Sequence, residues 1–575
     1  MSANSVLDVT DTSRGQSSNP SPEGSPIELQ SKGSEIIRRY DRLLSQRANF
    51  ETLFQEVADY VLPRKSNITV KRSPGTKQTE KLYDSTAINA NELLASSLQS
   101  TLMSTSILWF SIVPRNRELM KDLETRDWCE NTTNKIFYAI RNSNFDSEAP
   151  ELCLDLGAFG TSCMRQEEKQ LQRKGFNGFV FETLDISEYV IEENAMGFVD
   201  TVIRKFRYTA RQAWQRWGKN RLPSAIAQSR PDKEFDFIHA VYPRNDYDGR
   251  KLTKENMRIA SCYVSLNSRT LIDEQGYNYF PYVVPRWRKT SGEVWGRSCA
   301  MTALPDIRTL NKAKELGLKA WAKDINPSLM VMHDSVLGNI STAPNAIIAV
   351  LMEGAITPLK SGSSYDVTQW KENELKDAIR KSFFADQLAM PPFQGTPMTA
   401  TEVQARLEQT QRVMGPTVGR IKIEFLNPLV INSYQIMFAA GEFQDMPQTL
   451  IDYQAETGDN PLDIEFSGPM ARAQKMVDVA AFEQFFGRIA IPMGQVRPEV
   501  FDKIDADSVV DFGADRLGIP PRLMNSDAKV KQIREARAQM QQQAMQAQQQ
   551  QQQTEQMARA VPLAKAMSEQ EEEVA

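Results

Sequence analysis

The sequence predicts an α+β protein that is mainly helical, and three observations favour this fold class. Apolar residues recur at helical spacing in 31–62, and again in 296–326 and 368–390. Between about 176 and 290 the pattern changes to short β-branched and aromatic segments separated by turn residues. At 575 residues the chain exceeds the usual size of one hydrophobic core, so we expect three or four subdomains.

Composition and charge narrow the classes of function. Hydrophobic residues make up 41% of the chain and charged residues 25%, which is typical of a soluble globular protein. The formal net charge of −5 excludes a protein that binds nucleic acid through bulk positive charge. Contact with DNA would therefore depend on local geometry.

We expect neither the N-terminal residues nor the cysteines to form a catalytic or metal-binding site. Residues 1–30 are rich in serine and proline, lack an apolar signal core, and are expected to form a disordered tail. The five cysteines are scattered without CxxC spacing, which favours small buried residues over disulfides or metal ligands. They are Cys129, Cys153, Cys163, Cys262 and Cys299.

The first half of the chain is expected to begin with helices. The helix over 31–62 should stop at Pro63, before a basic linker that carries no acidic residue up to Thr79. Residues 80–165 read as further helices, broken at "VPRN" and at "NFDSEAP". The segments "GFVFETLDI", "FVDTVIRKFRY", "DFIHAVYPR", "RIASCYVSL" and "RTLIDEQG" then predict a subdomain that contains β-strands.

One charge-free stretch, Leu93–Pro114, is long enough in principle to span a bilayer. Eight of its 22 residues are serine or threonine, and Leu94, Leu98 and Leu102 repeat every four residues on one helix face. The segment "ILWFSIV" (107–113), near the end of the stretch, resembles a buried strand. Core packing therefore explains this stretch better than membrane insertion.

Two segments in the second half lack a clear pattern. Residues 327–367, between the two later helices, carry three glycines and several Ser, Thr and Pro residues. The charge-free loop "PPFQGTPM" at 391–398 precedes a helix that starts with the capping box Thr399–Glu402. Further interruptions are expected at "GPTVG" (415–419) and Pro428, and 12 of the 18 residues from Gln539 to Gln556 are glutamine.

Motifs for nucleotide or metal chemistry are absent from the sequence. There is no GxxxxGK[ST], GxSxG, HExxH or GxGxxG. The two histidines, His239 and His333, lack ligand partners at metal spacing, so each is expected to be a packed or surface residue. Glu192, Glu193 and Asp200 could hold magnesium in a nuclease, but isolated acidic pairs are usually solvated. We expect no catalytic residues, no metal and no cofactor.

The helix at 296–326 combines an apolar and a basic stripe. At 100° per residue, its apolar residues gather on one arc: Leu304, Ile307, Leu318, Trp321 and Ile325. Its basic residues fall on the adjacent arc, with Glu315 among them: Arg308, Lys312, Lys319 and Lys323. The basic stripe is either part of a DNA path or a solvated outer face.

Five stretches together resemble the portal, or head-to-tail connector, proteins of short-tailed bacteriophages. Each alone is weakly specific, but they follow in the family's order across residues 35–440. They are "RANFETLFQEVADYVLPRK" (47–65), "KLYDSTAINANELLASSLQSTLMSTSILWFSIVP" (81–114), "DLGAFGTSCM" (155–164), "PRWRKTSGEVWGRSCAMTALPDIRTLNK" (285–312) and "PPFQGTPMTATEVQAR" (391–406). Beyond about residue 440 only a helical character is shared.

The resemblance implies a portal fold of wing, stem, clip and crown, assembled as a ring around a central channel. The corresponding ranges are a disordered tail at 1–30, a wing at 31–295 with its β-containing part at 176–290, stem helices at 296–326 and 368–390, a clip at 327–367, a tunnel loop at 391–398, a long wing helix at 399–440, a crown at 441–530 and a glutamine-rich tail at 531–575.

The resemblance also implies a function and partners. Such a ring, usually of twelve subunits, sits at one vertex of the capsid in the virion, after synthesis in the host cytoplasm. It nucleates head assembly with the major capsid and scaffolding proteins and docks the terminase large subunit during genome packaging. It passes double-stranded DNA without sequence preference, also during ejection, and holds the tail adaptor. No membrane is involved, and the protein is not an enzyme.

Within a ring, the loop at 391–398 becomes a candidate for lining the channel, instead of an ordinary turn. Lack of charge would let DNA slide past without bound counter-charges. Its residues are Pro391, Pro392, Phe393, Gln394, Gly395, Thr396, Pro397 and Met398.

A fully exposed basic stripe on twelve subunits would grip DNA and oppose its movement. We therefore expect most of Arg308, Lys312, Lys319 and Lys323 to be neutralised, by Glu374 and Asp377 of the second stem helix.

Two alternatives to a portal ring remain open from the sequence. A tail hub or adaptor would also be structural, but such proteins are generally smaller and lack paired helices around an inserted segment. A metal-dependent DNA-processing enzyme would need clustered acidic ligands, which the sequence does not reveal.

Overall fold

The structure is a computed structural model, and it describes residues 26–70, 73, 75–104, 106–169, 175–248, 253–332, 350–359, 365–388, 414–458, 460–467, 479, 481–497, 504–517, 524–525 and 529–546. The chain divides into two units. The first comprises residues 1–105 and 138–442, and the second comprises 106–137 and 443–575. The second unit is thus built from two segments that are far apart in sequence.

The described helices, in chain order, are α1 Pro26–Val61, α2 Thr86–Leu102, α3 Leu123–Arg141, α4 Phe145–Phe159, α5 Ala210–Trp217, α6 Ser224–Ala227, α7 Cys299–Ile325, α8 Tyr365–Ser382, α9 Ala385–Leu388, α10 Asn427–Ala439, α11 Gln448–Thr457, α12 Ile491–Val496 and α13 Ala506–Leu517. Short 3₁₀ helices cover Pro63–Lys65, Arg117–Lys121, Lys219–Arg221 and Lys254–Asn256, and π-helical turns cover Lys422–Leu426 and Phe486–Ala490. Residues 529–546 are also helical.

The described strands are β1 Phe110–Pro114, β2 Cys163–Glu168, β3 Phe179–Leu184, β4 Tyr189–Glu193, β5 Val199–Thr209, β6 Glu234–Pro243, β7 Ile259–Ser265, β8 Thr270–Tyr277, β9 Tyr282–Val283, β10 Leu329–Val331, β11 Ile356–Pro358 and β12 Leu462–Phe466. The largest sheet is antiparallel with the order β4-β5-β6-β7-β8. A second antiparallel sheet has the order β3-β2-β9, and β1-β12 and β10-β11 form two-stranded pairs.

The first unit has its core where helix α1 packs on the five-stranded sheet. Ile36, Tyr40 and Leu43 are one helical face of α1, and they are buried against Ile203 and Val264 of β5 and β7. These side chains follow the two periodicities of the sequence, about 3.6 in the helix and 2 in the strands. The pattern of 31–62 and the five strand-like segments is therefore confirmed.

Most of the large apolar side chains in the described part of the charge-free stretch 93–114 are buried in the protein. Leu94, Leu98 and Leu102 of α2 are no more than 5% exposed. In the second unit, β1 pairs with β12, and Trp109 stacks on Phe466 with ring centroids 6.2 Å apart. None of the helices in the described ranges is both long and apolar enough to cross a membrane.

Several boundaries differ from the sequence-based expectation. The helix break expected at "NFDSEAP" lies at its first residue, because α3 ends at Arg141, residues 142–144 form a turn and α4 begins at Phe145. The rest of the motif is helical, since α4 continues through Pro150, held by buried Phe145 and Leu152. Proline removes only one hydrogen bond there, and apolar burial outweighs it. The helix α5, in a region expected to be β-stranded, begins with the capping box Thr209–Gln212.

The later helices also differ in detail. Instead of one helix over 368–390, α8 and α9 are separated at Phe384, which has a φ of 58°. "GPTVG" does not break the helix, because residues 414–439 are helical throughout. The π-helical turn Lys422–Leu426 comes directly before Pro428, where it accommodates a residue without an amide hydrogen.

All five cysteines are free and buried, as predicted. Burial raises the pKa of the Cys129 and Cys153 thiols to about 12, so they stay protonated at neutral pH. The α+β, mainly helical fold class is confirmed in the described ranges.

Candidate channel and subunit-contact surface

Helices α7 and α8 pack together and form the candidate functional surface of the first unit. Helix α7 begins where Ser298 caps it, since the Ser298 hydroxyl accepts a hydrogen bond from the Met301 amide at 2.9 Å. The same hydroxyl donates to the Ala158 carbonyl at 2.7 Å, which ties the start of α7 to the end of α4. With 27 residues, α7 extends about 40 Å.

The apolar stripe of α7 is buried in its first half and exposed in its second half. Leu304 and Ile307 are 5% and 1% exposed. Leu318, Trp321 and Ile325, on the same face, are 51%, 57% and 64% exposed. A group of large apolar side chains exposed on one face of a helix is typical of a surface covered by another protein.

The segment after α7 extends this exposed apolar surface. Strands β10 and β11 pair in antiparallel register, with Leu329 opposite Pro358 and Val331 opposite Ile356. The pairing brings the two ends of the segment 327–367 together. Large apolar side chains on it are more than half exposed: Met330, Met332, Leu351, Met352 and Leu359.

The basic residues of α7 have ionic partners other than those expected. Lys312 and Lys319 both pair with Glu315 of their own helix, at 3.0 and 2.5 Å. Hydrogen bonds from Lys319 and Lys312 lower the pKa of Glu315, so this carboxylate stays ionised.

Arg308 pairs with Glu56 of α1 at 3.1 Å, and Lys323 is exposed. Asp377, one of the expected partners, instead forms an ion pair with Arg380 on α8 at 3.6 Å. The basic stripe is therefore partly neutralised, but by neighbours at i−4 and i+3 spacing and by α1. Within the single chain, Asp377 is therefore not the partner of these basic residues that was expected from the sequence.

The candidate channel loop, Pro391–Met398, lies outside the described residues. Residues 414–439, further along the chain, are helical and belong to the first unit. Arg286, which is fully buried, connects them to the rest of that unit. The Arg286 guanidinium donates to Glu424 at 2.7 and 3.2 Å, and it also pairs with Glu193. Lys289 adds a second cation to Glu193 at 2.7 Å.

This buried ion network was not found from the sequence. Glu424 lies 138 positions from Arg286, and Glu193 lies 93 positions away. The only local signal is a run of basic residues around Arg286 in "PRWRK", whose acidic partners no periodicity identifies.

The acidic residues weighed as a magnesium site are engaged in ion pairs. Glu192 binds Arg39 and Arg42 at 2.6 and 2.7 Å, and Glu193 belongs to the network of Arg286. Asp200 accepts a hydrogen bond from Thr201, and burial raises its pKa. The part of the chain that the structure describes contains no group of three or more His, Cys, Asp or Glu residues able to hold a metal ion.

His239 is a packed residue. Its ring nitrogens lie 2.8 Å from the Tyr282 hydroxyl and 2.9 Å from the Ser261 hydroxyl, and its ring stacks on Tyr263 at 4.1 Å. Burial, together with nearby Arg165, Arg216 and Arg204, holds its pKa well below the ordinary value. The interpretation of His239 as a packed residue is confirmed; His333 lies outside the described residues.

Comparisons of the sequence with known proteins find bacteriophage connector and portal proteins. A family model described as bacteriophage head to tail connecting protein matches residues 33–524. A probable portal protein of Bordetella phage BPP-1 is 29% identical over 518 residues, which are 88% of this chain and 90% of that protein. The portal protein of Salmonella phage epsilon15 is 24% identical over 526 residues, with 88% and 91% covered.

Among solved structures, a chain of the virion of a native gene transfer agent particle aligns with 80% of this chain and 99% of its own length. The sequence identity is 11% and the TM-score is 0.33, a value too low to establish a shared fold.

Proposed function

The chain belongs to the family of bacteriophage head to tail connecting proteins, and from this premise we propose that it is the structural portal protein of a short-tailed phage. In this proposal twelve copies form a ring around a central channel at one vertex of the capsid. The ring is a virion component made in the host cytoplasm. It serves as the conduit for genome packaging and ejection and as the attachment point for the tail, without enzymatic activity.

The observation that carries this proposal is the exposed apolar stripe Leu318–Trp321–Ile325. A single chain gains nothing by presenting these side chains to water, since burying each contributes about 1.5–3 kcal/mol. A second copy that covers the stripe recovers this stabilisation.

A ring requires two different surfaces on each copy, because its subunits meet head to tail. The second surface is an open groove of about 930 Å³ between α1 and α7, lined in part by Leu53, Tyr60, Pro305 and Leu316. At 100° per residue, Pro305 and Leu316 lie on the side of α7 opposite to the exposed stripe. The groove and the stripe therefore supply the two unlike faces of a closed ring.

We assign the remaining parts of the portal by order along the chain. Helices α7 and α8 are the stem, the segment 327–367 is the clip, and residues 441–530 contribute the crown. The clip, closed at its base by β10 and β11 and rich in exposed methionines, is the surface for the terminase large subunit and later the tail adaptor. The loop Pro391–Met398 faces double-stranded DNA in the channel, and the major capsid and scaffolding proteins surround the ring.

The stripe gives a direct test. The triple variant Leu318→Ser/Trp321→Ser/Ile325→Ser should lose the ring, because it removes apolar area that is exposed in the single chain. Particle mass, measured by mass photometry, should fall from about 0.8 MDa, the mass of twelve 65.1-kDa chains, toward that of the monomer. Circular dichroism should show an unchanged helical content.

A matched control replaces exposed apolar residues of the same unit that lie outside the stripe. The variant Tyr138→Ser/Met196→Ser/Phe198→Ser, at positions 58%, 85% and 45% exposed, should keep the ring. A stripe variant that still forms the full ring contradicts the assigned interface. A wild-type chain that stays monomeric, or that cleaves DNA or turns over ATP with magnesium, contradicts the proposed function itself.

A further inference from the structure

A strongly basic insertion joins β5 to β6. We call residues 210–233 the basic module; it contains α5, the 3₁₀ helix Lys219–Arg221 and α6. Six of its 24 residues are basic and one, Asp232, is acidic, so it carries a net charge of +5 within a chain of −5. Its basic residues are Arg211, Arg216, Lys219, Arg221, Arg230 and Lys233.

The basic module is held firmly on the sheet. Its two ends are joined by backbone hydrogen bonds from Ala210 to the Lys233 carbonyl at 2.8 Å and from Arg211 to the Pro231 carbonyl at 3.0 Å. Trp217 and Ile226 are buried against the side chains of the sheet. The positive charges are therefore presented from a fixed scaffold, which lowers the entropy lost on binding.

Five of the six cations are exposed and have no carboxylate partner within 4.0 Å among the described residues. They are Arg211, Arg216, Lys219, Arg230 and Lys233. The pattern differs from that of the flanking strands, where Arg207 pairs with Glu234 and Asp236. Arg221, the sixth cation, is half-buried and lies 3.5 Å from Asp273.

Aromatic rings and hydroxyls position the cations without neutralising them. Arg216 donates to the hydroxyls of Tyr208 and Tyr263 at 2.9 and 2.6 Å, and its guanidinium lies 4.7 Å from the Tyr263 ring centroid. The Lys219 ammonium lies 4.3 Å above the Trp214 ring. Cation–π contacts of this kind keep the full positive charge available.

The surface of the basic module fits a nucleic acid better than a protein. Large apolar residues in 210–233, a range that the structure describes completely, are all buried or half-buried. A protein interface usually has an apolar centre, whereas an interface with DNA is polar and positively charged. Duplex DNA offers one negative charge per about 1.7 Å, which suits several fixed cations without carboxylates.

We propose that the basic module binds the phosphate backbone of duplex DNA without sequence preference. This site is distinct from the proposed channel loop at 391–398, and its existence does not depend on the ring. The interaction is electrostatic, so it should weaken steeply with salt.

A DNA that cannot enter a channel tests this site. A relaxed, covalently closed circular duplex cannot thread a closed ring, so its binding reports on outer surfaces only. The variant Arg211→Gln/Lys219→Gln/Arg230→Gln/Lys233→Gln removes four cations and leaves Arg216 in its aromatic cluster. Binding of the circle is measured by fluorescence anisotropy over a series of NaCl concentrations, and ring formation by mass photometry of the same samples.

The expected result is a change in the salt dependence. The slope of log Kd against log [NaCl] should become shallower by about 3.6 for each module engaged, since each lost phosphate contact contributes about 0.9. Between about 50 and 200 mM NaCl, this difference corresponds to roughly a hundredfold in affinity. The ring should remain intact.

The control removes the same total charge elsewhere. The variant Arg42→Gln/Arg117→Gln/Arg297→Gln/Arg534→Gln replaces four exposed arginines that all have carboxylate partners, and it should keep the wild-type slope.

Three outcomes would overturn the assignment. The first is a module variant that binds the circle like the wild type, and the second is an equal loss in the control. The third is wild-type protein that binds polyglutamate but not the circle, which would identify an acidic protein as the partner. In each case ring formation is measured on the same samples, so the proposed function is tested separately from the DNA site.

Discussion

At the scale of single residues, the stability of the fold depends on a few buried polar groups whose partners lie far away in the sequence. Arg286 is enclosed by Glu424 and Glu193 and also donates to the Gly197 carbonyl at 2.8 Å. His239 is fixed by two hydroxyls and a stacked ring. Such groups are costly to bury alone and contribute to stability only while every partner is present.

Removing Arg286 should therefore destabilise the first unit strongly. Arg286→Met keeps much of the side-chain volume but removes the buried cation that Glu424 and Glu193 share, so that only the less buried Arg420 and Lys289 remain beside them. The expected cost is about 3–5 kcal/mol in the free energy of unfolding. Urea unfolding followed by circular dichroism measures this. Arg297→Met is the matched control: its exposed ion pair with Glu293 should contribute no more than about 1 kcal/mol. Equal losses in both variants would contradict the account of Arg286.

His239 should make stability depend on pH. Its pKa is depressed by burial in the folded chain, so below about pH 6.5 the unfolded chain binds a proton there that the native chain does not. The free energy of unfolding should fall as pH falls below this value, by up to about 1.4 kcal/mol per pH unit. His239→Gln should remove this contribution.

The contribution of His239 is measured as the difference in the free energy of unfolding between the wild type and His239→Gln, at each pH and at one protein concentration. Other groups titrate in the same range, among them Asp155, whose pKa burial raises to about 7 despite the ion pair with Lys65. That carboxyl has the opposite effect, since its contribution to stability falls as pH rises toward 7. Tyr282→Phe, which removes a hydrogen bond but not the burial, should keep the contribution of His239. An unchanged pH dependence in His239→Gln would disprove the assignment.

At the scale of elements, the end of α4 meets the start of α7 through backbone contacts. Gly160 ends α4 with a φ of 74°, and its amide bonds to the Leu156 carbonyl. A Cβ at Gly160 would lie 2.6–2.8 Å from backbone atoms of Gly296, Arg297 and Ser298. Two of the five stretches that carry the family resemblance therefore meet at this point, and only a residue without a side chain fits.

Gly160→Ala should cost about 3 kcal/mol or more in the free energy of unfolding. The left-handed conformation contributes about 1–2 kcal/mol and the clash with backbone adds more. Gly292→Ala separates the two effects, since Gly292 has a φ of 83° but no heavy atom within 4 Å of the added Cβ. Thermal or urea unfolding should show a clearly smaller loss for Gly292→Ala. If both variants lose the same stability, the close approach of α4 and α7 has no energetic role.

At the scale of the whole molecule, the chain combines a net charge of −5 with local regions of opposite character. The lysines at 312 and 319 are partly neutralised by Glu315, whereas the basic module keeps its charge. In a ring of twelve, every such feature is repeated around the axis, so one charge per chain becomes a ring of twelve charges. We therefore expect function at this scale to be sensitive to single substitutions that face the proposed channel.

The proposed channel loop should show this sensitivity. Gln394→Glu/Thr396→Glu adds up to 24 negative charges in a ring of twelve, and these would repel the phosphates of DNA in the channel. Ring assembly should be unchanged, while packaging or retention of the genome should decrease. Mass photometry checks assembly, and the amount of nuclease-protected DNA checks packaging. The double variant Gln394→Asn/Thr396→Ser is the neutral control.

A glutamate variant that packages and retains a full genome would show that the loop does not meet DNA. The segment would then be an ordinary turn between two helices.

The sequence by itself determined the features that repeat over short distances. The helical face of α1, the strands β5 to β8 and the buried leucines of α2 each follow from a local period of apolar residues. The five ordered stretches also identified the family, which the match over residues 33–524 confirms. These inferences succeed because a helix or strand needs only its own residues to specify which face is apolar.

Only the tertiary structure decided which distant residues meet. It paired Arg286 with Glu424, joined residues 106–137 to those after 443 in one unit, and showed that the α7 stripe leaves the core after Ile307. It also assigned Lys312 and Lys319 to Glu315 and left five of the six cations of the basic module without a carboxylate partner among the described residues. A local period shows that a side chain is apolar or charged, but its partner depends on how the chain folds back over a hundred or more residues.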